Sequence, residues 1–451
     1  MEATPTLLQR PVTSALWTLA WPVIALGFLR SAFFLGDAWW VGHLGSAALE
    51  GLSGASFATW ILHSWGDLGM VGILSLVARA AGAQNQERIR TLIGQGFMLS
   101  LCLGLLAAAG SFFLPSLYFN FVGFSHAELA TARQEGIAYL TPLVLGTPFL
   151  MVHLLVHAVF RGLGNTRTPM LIMAASLVLN LVLDPLLLFG VGPFPKLGVA
   201  GAAWATIIAN GIAAVIGMSL LTRSNLFRFH PTIDIRLWYQ ILVISAPIAF
   251  AGMGFCAVYV FLGPIVTAFG RGTMAALGVG HRVESLAYFY AYGVGQATAT
   301  LVGQYLGASR PEGAWEAVRA AERLSLVVLG PLAILFLFGA PLIFSIFTDD
   351  PAFIQAGCGY LRWAALALVF MGWEMIYEEA FAGAGDTLPP TRIVLPLTVL
   401  RIPLAWVLAN YTPLGLHGVW VAIALSTLSK GVFLRLSFAR GGWAKRLGTL
   451  G

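Results

Sequence analysis

Residues 177–190, LVLNLVLDPLLLFG, form an apolar run that contains Asn180 and, four residues later, Asp184. Residues four apart lie on one face of a helix. A charged side chain at the centre of a bilayer costs roughly 2.5–3.5 kcal/mol on insertion scales. The stretch therefore predicts a membrane helix with one polar face, and the cost of its carboxylate requires a partner or a function.

The composition of the whole chain agrees with this local prediction. Of its 451 residues, 58% are hydrophobic and only 10% are charged, whereas soluble domains carry about 25% charged residues. The mean hydropathy is +0.84. Apolar runs of about 20 residues, the length that spans a bilayer as a helix, fill most of the chain. These features predict an all-α polytopic membrane protein.

Gly, Pro and charged residues separate the apolar runs and define twelve predicted spans. They lie at 14–42, 50–80, 91–117, 131–160, 168–190, 198–222, 238–268, 274–306, 317–346, 353–382, 388–411 and 414–438. The N-terminal segment has no cleavage site of the A-x-A type before the first span, so we expect no cleavable signal peptide.

The basic residues predict the orientation of these spans. Seventeen of the 25 Lys and Arg residues fall on the side that holds both termini and the 223–237 linker, and three fall on the other side. Because cytoplasmic loops are enriched in Lys and Arg, both termini are predicted to be cytoplasmic, in the inner membrane of a prokaryotic cell. The net charge of +6 is then a topology signal and not a sign of nucleic-acid binding.

Three motifs recur in the same order in the two halves of the chain. They pair FRGLGNTRTP at 160–169 with FAGAGDTLPP at 381–390, LVARAAGAQNQE at 76–87 with LVGQYLGASRPE at 301–312, and LGVAGAAWA at 197–205 with LGLHGVWVA at 414–422. Such parallel repeats are typical of secondary transporters. The predicted domains are an N-terminal six-helix lobe (1–222), a cytoplasmic linker (223–237) and a C-terminal six-helix lobe (238–451).

Several of these motifs resemble those of multidrug and toxic compound extrusion (MATE) transporters. The resemblance rests on the 6+6 plan, GHLGSAALEGLS after the first span, the GA pairs that end spans two and eight, and GNTRTP, NLVLDPLLLFG and GVAGAAWAT. The N-x-x-x-D-P element of the fifth span is most similar to the DinF-like prokaryotic branch. The resemblance implies a V-shaped rocker-switch transporter that exports bulky, often cationic, amphipathic compounds in exchange for protons or sodium.

The two acids of the first lobe are the predicted coupling site. Asp37 and Asp184 both fall in the outward half of spans that start in the cytoplasm, so their depths are comparable. Such a carboxylate pair can take a proton when substrate leaves and release it when substrate binds. Asn180 and Thr206 supply neutral oxygens, and the resemblance places a cation or proton site on all four residues. Two alternatives stay open: Asp37 as a helix cap, and Asp184 as a partner for backbone freed by Pro185.

Other candidates in this lobe line the predicted substrate cavity or bend a helix. Tyr139 and His157 lie in the fourth span and Met173 in the fifth, and we expect them to line the cavity. Pro22 removes a helix bond from the first span and permits a kink, which the resemblance links to Asp37. His153 and His157 have the i,i+4 spacing of metal ligands, but the sequence offers no third ligand, so we expect no metal at these histidines. The one metal ion considered is sodium, at the coupling site.

The second lobe cannot carry a copy of this site. Alignment of the repeats places Arg401 opposite Asn180 and Ala405 opposite Asp184. Its own acids, Glu284, Glu374 and Glu378, are secondary coupling candidates. The alternative is that they pair with arginines and only hold the lobe together.

Two other functions compete with drug export. One is a flippase for lipid-linked saccharides or lipids of the same superfamily; such proteins commonly line the cavity with arginines, and arginines inside the predicted spans are few here. An intramembrane enzyme needs a paired aspartate motif, for which TDDPAF at 348–353 is the single candidate. No Walker sequence occurs, so an ion gradient must drive transport. The sequence therefore predicts a monomeric transporter that is not an enzyme and has no cofactor. We expect it to be coupled to H⁺ in preference to Na⁺. Its expected partners are small amphipathic or cationic drug-like substrates and membrane lipid.

Overall fold

A computed structural model gives the architecture of the chain. It describes residues 5–122, 129–229, 232–270, 273–347 and 350–445. Inside helices, the side chains of 5–6, 32–38, 46, 256, 259–260, 274–275 and 445 lie outside the described part. The predicted coupling residue Asp37 is therefore present as helical backbone, and its side chain falls outside the described residues.

Sixteen helices account for nearly all of the described residues, which contain no strand. In chain order they are α1 (Pro5–Leu8), α2 (Val12–Gly42), α3 (Ser46–Gly82), α4 (Gln86–Ala109), α5 (Leu114–Phe121), α6 (Ala130–Leu145), α7 (Thr147–Gly162), α8 (Arg167–Phe189), α9 (Val199–Arg223), α10 (Ile235–Thr267), α11 (Thr273–Gly307), α12 (Pro311–Ser345), α13 (Pro351–Ala384), α14 (Leu388–Tyr411), α15 (Leu416–Ala439) and α16 (Gly442–Lys445).

The prediction of an all-α polytopic membrane protein is confirmed. Among the described residues, ten helices are long and apolar enough to cross a membrane, and the bent pair α6–α7 makes an eleventh span. The 35-residue helix α11 occupies the position of the predicted eighth span. It is not one of those ten helices, and it carries His281, Arg282 and Glu284 near its start.

Two predicted spans are broken in the structure. The span predicted at 91–117 ends as α4 at Ala109, and a turn leads into the short helix α5. The span predicted at 131–160 is two helices, α6 and α7, which meet at a 56° bend. Gly146 lies at this bend, and Pro148 two residues later has no N–H for the helix ladder. Both breaks fall inside continuous apolar sequence, so hydropathy alone cannot locate them.

The helices form two compact units. The described part of the first unit runs from Ala25 to Ala249, and that of the second consists of 5–24 together with 250–445. Each boundary falls inside a long helix and follows a proline by two residues: Pro22 in α2 and Pro247 in α10. The predicted division into lobes at residues 222 and 238 stays a prediction.

The repeated motifs adopt matching local structures in the two units. The Cβ that an alanine would add at Gly162 would lie 3.1 Å from the Leu74 carbonyl oxygen, and at Gly383 it would lie 2.2 Å from that of Ala299. These glycines therefore allow helix backbones to touch in both units. Gly198 and Gly415 precede α9 and α15 with φ of 58° and 53°. The duplication read from the sequence thus extends to backbone conformation.

Candidate functional site

Three of the four predicted coupling residues are hydrogen-bonded to one another in the first unit. The Asn180 Nδ2 donates to Asp184 Oδ1 at 2.6 Å, and the Thr206 hydroxyl donates to Asn180 Oδ1 at 3.1 Å. Asp184 has no exposed surface and Asn180 is 3% exposed. We refer to Asp184, Asn180 and Thr206 as the α8–α9 triad.

The geometry of α8 places the triad inside the unit. Ser176, Asn180 and Asp184 recur every four residues and are all buried, as expected for one face of a helix. Leu171, Val178 and Val182 on other faces of the helix are more than half exposed and suit contact with lipid. The polar residues of α8 thus lie inside the unit, and its apolar residues lie on the outer surface.

The triad also spans two helices that a small residue holds close together. A Cβ at Gly201 of α9 would lie 2.5 Å from the Leu187 carbonyl oxygen of α8, so only glycine permits this approach. The Thr206 hydroxyl is 3.1 Å from the Ala202 carbonyl of its own helix as well as from Asn180. The polar link between the helices therefore depends on their close packing.

The fourth predicted coupling residue, Asp37, lies within α2 and its side chain falls outside the described residues. The backbone of α2 continues to Gly42, more than a turn beyond it. Asp37 is therefore not the residue at which the helix ends, which argues against the helix-cap alternative.

The predicted cavity residues are distributed over three helices of the first unit. Tyr139 of α6 is 7% exposed and belongs to a buried cluster with Leu140 and Leu188. Met173 lies partly buried on α8. The predicted helix-bending residue Pro22 is buried, and α2 is assigned as helix through it.

His157 lies in a second polar cluster, centred on α7. Its Nε2 is 3.1 Å from Nε2 of His153, and Nδ1 of His153 is 2.8 Å from the Asn210 side-chain oxygen on α9. Both histidines are more than nine-tenths buried. The i,i+4 spacing pointed to their contact, whereas Asn210 was missed because its approach depends on the packing of α9.

The acids of the second unit bind partners within that unit. Glu374 forms a buried ion pair with Lys430, with Nζ and Oε1 2.5 Å apart. Glu284 accepts a hydrogen bond from the Tyr360 hydroxyl. The partner of Glu374 is therefore a lysine of α15 and not one of the arginines considered from sequence. Lys430 was missed, although its position inside an apolar span marked it as unusual.

Two further acids lie beside this ion pair on α13. Glu378 follows Glu374 by one helical turn and interacts electrostatically with Glu374, Glu379 and Lys430. Glu379 accepts a hydrogen bond from Gln296 of α11. Nη2 of Arg401, the residue that the repeat alignment places opposite Asn180, lies 3.4 Å from the Ser426 hydroxyl.

The described residues contain no group of three or more His, Cys, Asp or Glu side chains that could hold a metal ion.

A family model described as MatE matches residues 22–186 and 247–407. The chain belongs to the MatE family. Members of this family are multi-pass membrane transporters and not enzymes, which agrees with the sequence prediction. The two matched segments correspond to the two copies of the internal repeat.

Similar proteins and structures support this assignment. A probable multidrug resistance protein NorM of Thermotoga maritima is 29% identical over 433 residues, 95% of this MatE chain and 92% of the relative. An FAD transporter of Shewanella oneidensis is 26% identical over 432 residues, 94% of each.

The fold is also that of solved family members. One structure is an outward-facing conformation of a multidrug resistance MATE family transporter of the MOP superfamily. It matches 99% of this chain and 100% of its own with a TM-score of 0.87 at 22% identity. That likeness shows the fold of twelve membrane helices in two bundles.

Proposed function

We propose that this MatE chain is a secondary active multidrug efflux transporter that exports amphipathic, often cationic compounds in exchange for protons. Support comes from curated relatives named as probable multidrug resistance proteins, one of which matches nearly the whole chain. We place it as a monomer in the inner membrane, with both termini in the cytoplasm, in keeping with its basic loops.

The observation that carries the proposal is the α8–α9 triad. A fully buried carboxylate inside an apolar unit is costly when charged, and its protonation or partner exchange changes that cost. Asp184 receives a hydrogen bond from Asn180, which suits the charged form of the carboxylate. A site of this kind can hold a proton in one conformation and release it in another. We assign the coupling role to Asp184, Asn180 and Thr206 together with Asp37, in a DinF-like arrangement.

The orientation of Asn180 favours a proton over sodium as the coupling ion. Its amide turns the NH₂ group towards Asp184 and the oxygen towards Thr206. A sodium ion at Asp184 needs oxygen ligands, and the amide presents a donor to it instead. Sodium binding would thus require the amide to turn and the Thr206 hydrogen bond to break, whereas a proton requires neither.

The test uses purified protein in liposomes that contain a pH-sensitive dye, with ethidium added outside. Wild type, Asp184→Asn and Asp37→Asn are compared with and without sodium. We expect ethidium to trigger proton movement in wild type with or without sodium, and both substitutions to abolish it. The matched control is Glu50→Gln, which neutralises an exposed acid of the same unit and should retain transport.

Three outcomes would contradict parts of the proposal. Transport that survives both substitutions would remove the coupling role from this site and direct attention to Glu284, Glu374 and Glu378. A requirement for sodium would replace the proton as the coupling ion. Failure to move any cation under either gradient would favour a flippase for lipid-linked saccharides.

Export of an anionic dinucleotide is the second candidate function. The relative from Shewanella oneidensis is named an FAD transporter and covers 94% of this chain. The buried histidines of α7 and the neighbouring Arg161 would suit a diphosphate better than an organic cation. The same liposome experiment with FAD in place of ethidium separates the two functions. Transport of FAD is followed by its fluorescence.

A further inference from the structure

Three basic side chains follow one another along α7 in the first unit. His153, His157 and Arg161 are spaced four residues apart, so they share one face over about 12 Å of helix. Their exposed fractions are 1%, 6% and 6%. Arg161 and His157 also interact electrostatically. We call these three residues the α7 basic row.

Hydrogen bonds determine which ring nitrogens carry a proton. The side-chain oxygen of Asn210 only accepts, so Nδ1 of His153 must donate to it. In the neutral ring, Nε2 of His153 is then an acceptor, and Nε2–H of His157 donates to it across 3.1 Å. This leaves Nδ1 of His157 as the nitrogen of the pair that can take a further proton.

Arg161 is the member of the row whose side chain lacks hydrogen-bond acceptors. Neither its Nε nor its Nη2 has a hydrogen-bond partner among the described residues, and both atoms are buried. A buried guanidinium without an acceptor is strongly unfavourable. Its planar fork of N–H donors matches the oxygens of phosphate and carboxylate groups. The missing partner is therefore expected to be an anion.

Neighbouring helices add positive charge around the row. Arg30 of α2 interacts electrostatically with both histidines and with His63 of α3. His63 donates from Nδ1 to the Thr59 carbonyl at 2.9 Å. The electrostatic partners given for His153 and His157 are basic side chains.

Carboxylates do occur elsewhere on the helices of this unit. Asp67 follows His63 by one turn on α3, and Asp184 lies on α8 within the α8–α9 triad. These acids and the side chain of Asp37 are the groups whose charge must be controlled in any test of pH dependence.

We propose that the α7 basic row binds an oxyanion, a phosphate-like group that is free in solution or carried by a larger molecule. Arg161 supplies the fixed charge and the fork of donors. His157 and His153 supply a charge that appears when the pair takes up a proton. The site lies between the end of α7 and Asn210 of α9, which follows Thr206 of the coupling triad by one helical turn. The proposal does not depend on which ion drives transport.

A bound anion and the proton on the histidine pair must stabilise each other. Protonation of His157 adds a positive charge and a donor facing the anion, so the anion should bind more tightly as the pH falls. By reciprocity, binding of the anion should draw a proton into the site. Sulfate is the suitable probe because its own charge does not change between pH 6 and pH 8.

The experiment is calorimetric titration of sodium sulfate into the whole purified chain in an uncharged detergent, at constant ionic strength set with sodium chloride, which is not an oxyanion. We expect saturable binding by wild type whose affinity rises from pH 8 to pH 6. Arg161→Gln should weaken it roughly ten- to hundredfold, the effect of losing charged hydrogen bonds. The double variant His153→Gln/His157→Gln should bind with an affinity that no longer depends on pH.

Matched variants keep the result interpretable. Arg161→Lys retains the charge without the fork, so it should bind more tightly than Arg161→Gln and guards against loss of folding as the cause. Arg133→Gln removes a partly buried arginine whose hydrogen bond to Asn120 is exposed, and this variant should bind like wild type. Asp37→Asn and Asp67→Asn should bind sulfate at least as tightly as wild type.

Several results would overturn the proposal. They are absence of saturable sulfate binding, equal binding by wild type and Arg161→Gln, and an unchanged pH dependence in the double histidine variant. Repetition in nanodiscs of anionic and of neutral phospholipid identifies the source of the natural anion. Weaker sulfate binding in both kinds of phospholipid disc than in a phosphate-free detergent assigns the site to a lipid phosphate, and equal binding in discs and detergent assigns it to a soluble anion.

Discussion

The ion pair between Glu374 and Lys430 shows how much a single buried residue can contribute in this chain. Its Nζ and Oε1 atoms are 2.5 Å apart, and both side chains are less than 8% exposed. Removal of one partner leaves the other charge buried and unpaired, which is far more costly than removal of both.

We therefore expect Lys430→Met and Glu374→Gln to lower the free energy of unfolding by about 3–5 kcal/mol each. The double variant should recover part of that loss, because neither member of the ion pair is left unpaired, although Glu378 loses its interaction with Lys430. Thermal unfolding in detergent, followed by tryptophan fluorescence, measures the coupling. Glu87→Gln, which alters the 3.6 Å pair between the exposed Glu87 and the partly buried Arg90, should change stability by less than about 1 kcal/mol. Losses in the double variant that equal the sum of the single losses would disprove the coupling.

The sequence predicts residue contacts only where both partners lie on one helix. Asn180 and Asp184 are four apart, and so are His153 and His157, and each pair is in contact. Thr206 was predicted through the family resemblance, because nothing in its own spacing points to Asn180. Lys430 and Asn210 were missed for the same reason, since the rotation of one helix against the next is a tertiary property.

At the scale of elements, hydropathy predicts the long helices well and their interruptions badly. The predicted fifth span, 168–190, differs from α8 by one residue at each end. Hydropathy did not predict the break at Gly146, because apolar residues continue on both sides of it. A Cβ at Gly146 would lie 2.4 Å from Ile207 of α9, so the bend belongs to a close helix contact. Such contacts depend on neighbours that a single span does not reveal.

Close helix packing also makes a glycine of α3 sensitive to substitution. A Cβ at Gly72 would lie 2.4 Å from the carbonyl oxygen of Ile241 in α10, and its amide donates to the Ser245 hydroxyl at 2.8 Å. Gly72→Ala must push the α10 backbone away, so we expect a loss of about 1–3 kcal/mol in stability. Gly330→Ala in α12, where a Cβ meets nothing within 4 Å, should gain about 0.4–1 kcal/mol. Equal melting temperatures for the two variants would show that the α10 backbone can move away from residue 72 without a loss of stability.

At the scale of the whole molecule, the internal repeat is the most reliable prediction from sequence. Three short motif matches predicted two copies of one unit, and the paired glycines and turn residues repeat the same backbone conformations. Gln84 and Ser309 illustrate this, with φ of 56° and 58° at equivalent turns. The chemistry of the two copies differs, because side chains diverge where the backbone does not: Asn180 of the triad is matched by Arg401.

The orientation of the whole chain in the membrane follows from charge alone and can be tested directly. Because 17 of the 25 basic residues lie on one predicted side, that side should remain in the cytoplasm. Single cysteines replace exposed residues of a cysteine-free variant: Glu87 and Glu312 on the predicted inner side, Val191 and Ala352 on the outer side. In intact cells, a membrane-impermeant maleimide should label Val191→Cys and Ala352→Cys. It should label Glu87→Cys and Glu312→Cys only after the membrane is permeabilised. The reverse pattern would invert the topology and, with it, the direction in which the proposed coupling site exports its substrate.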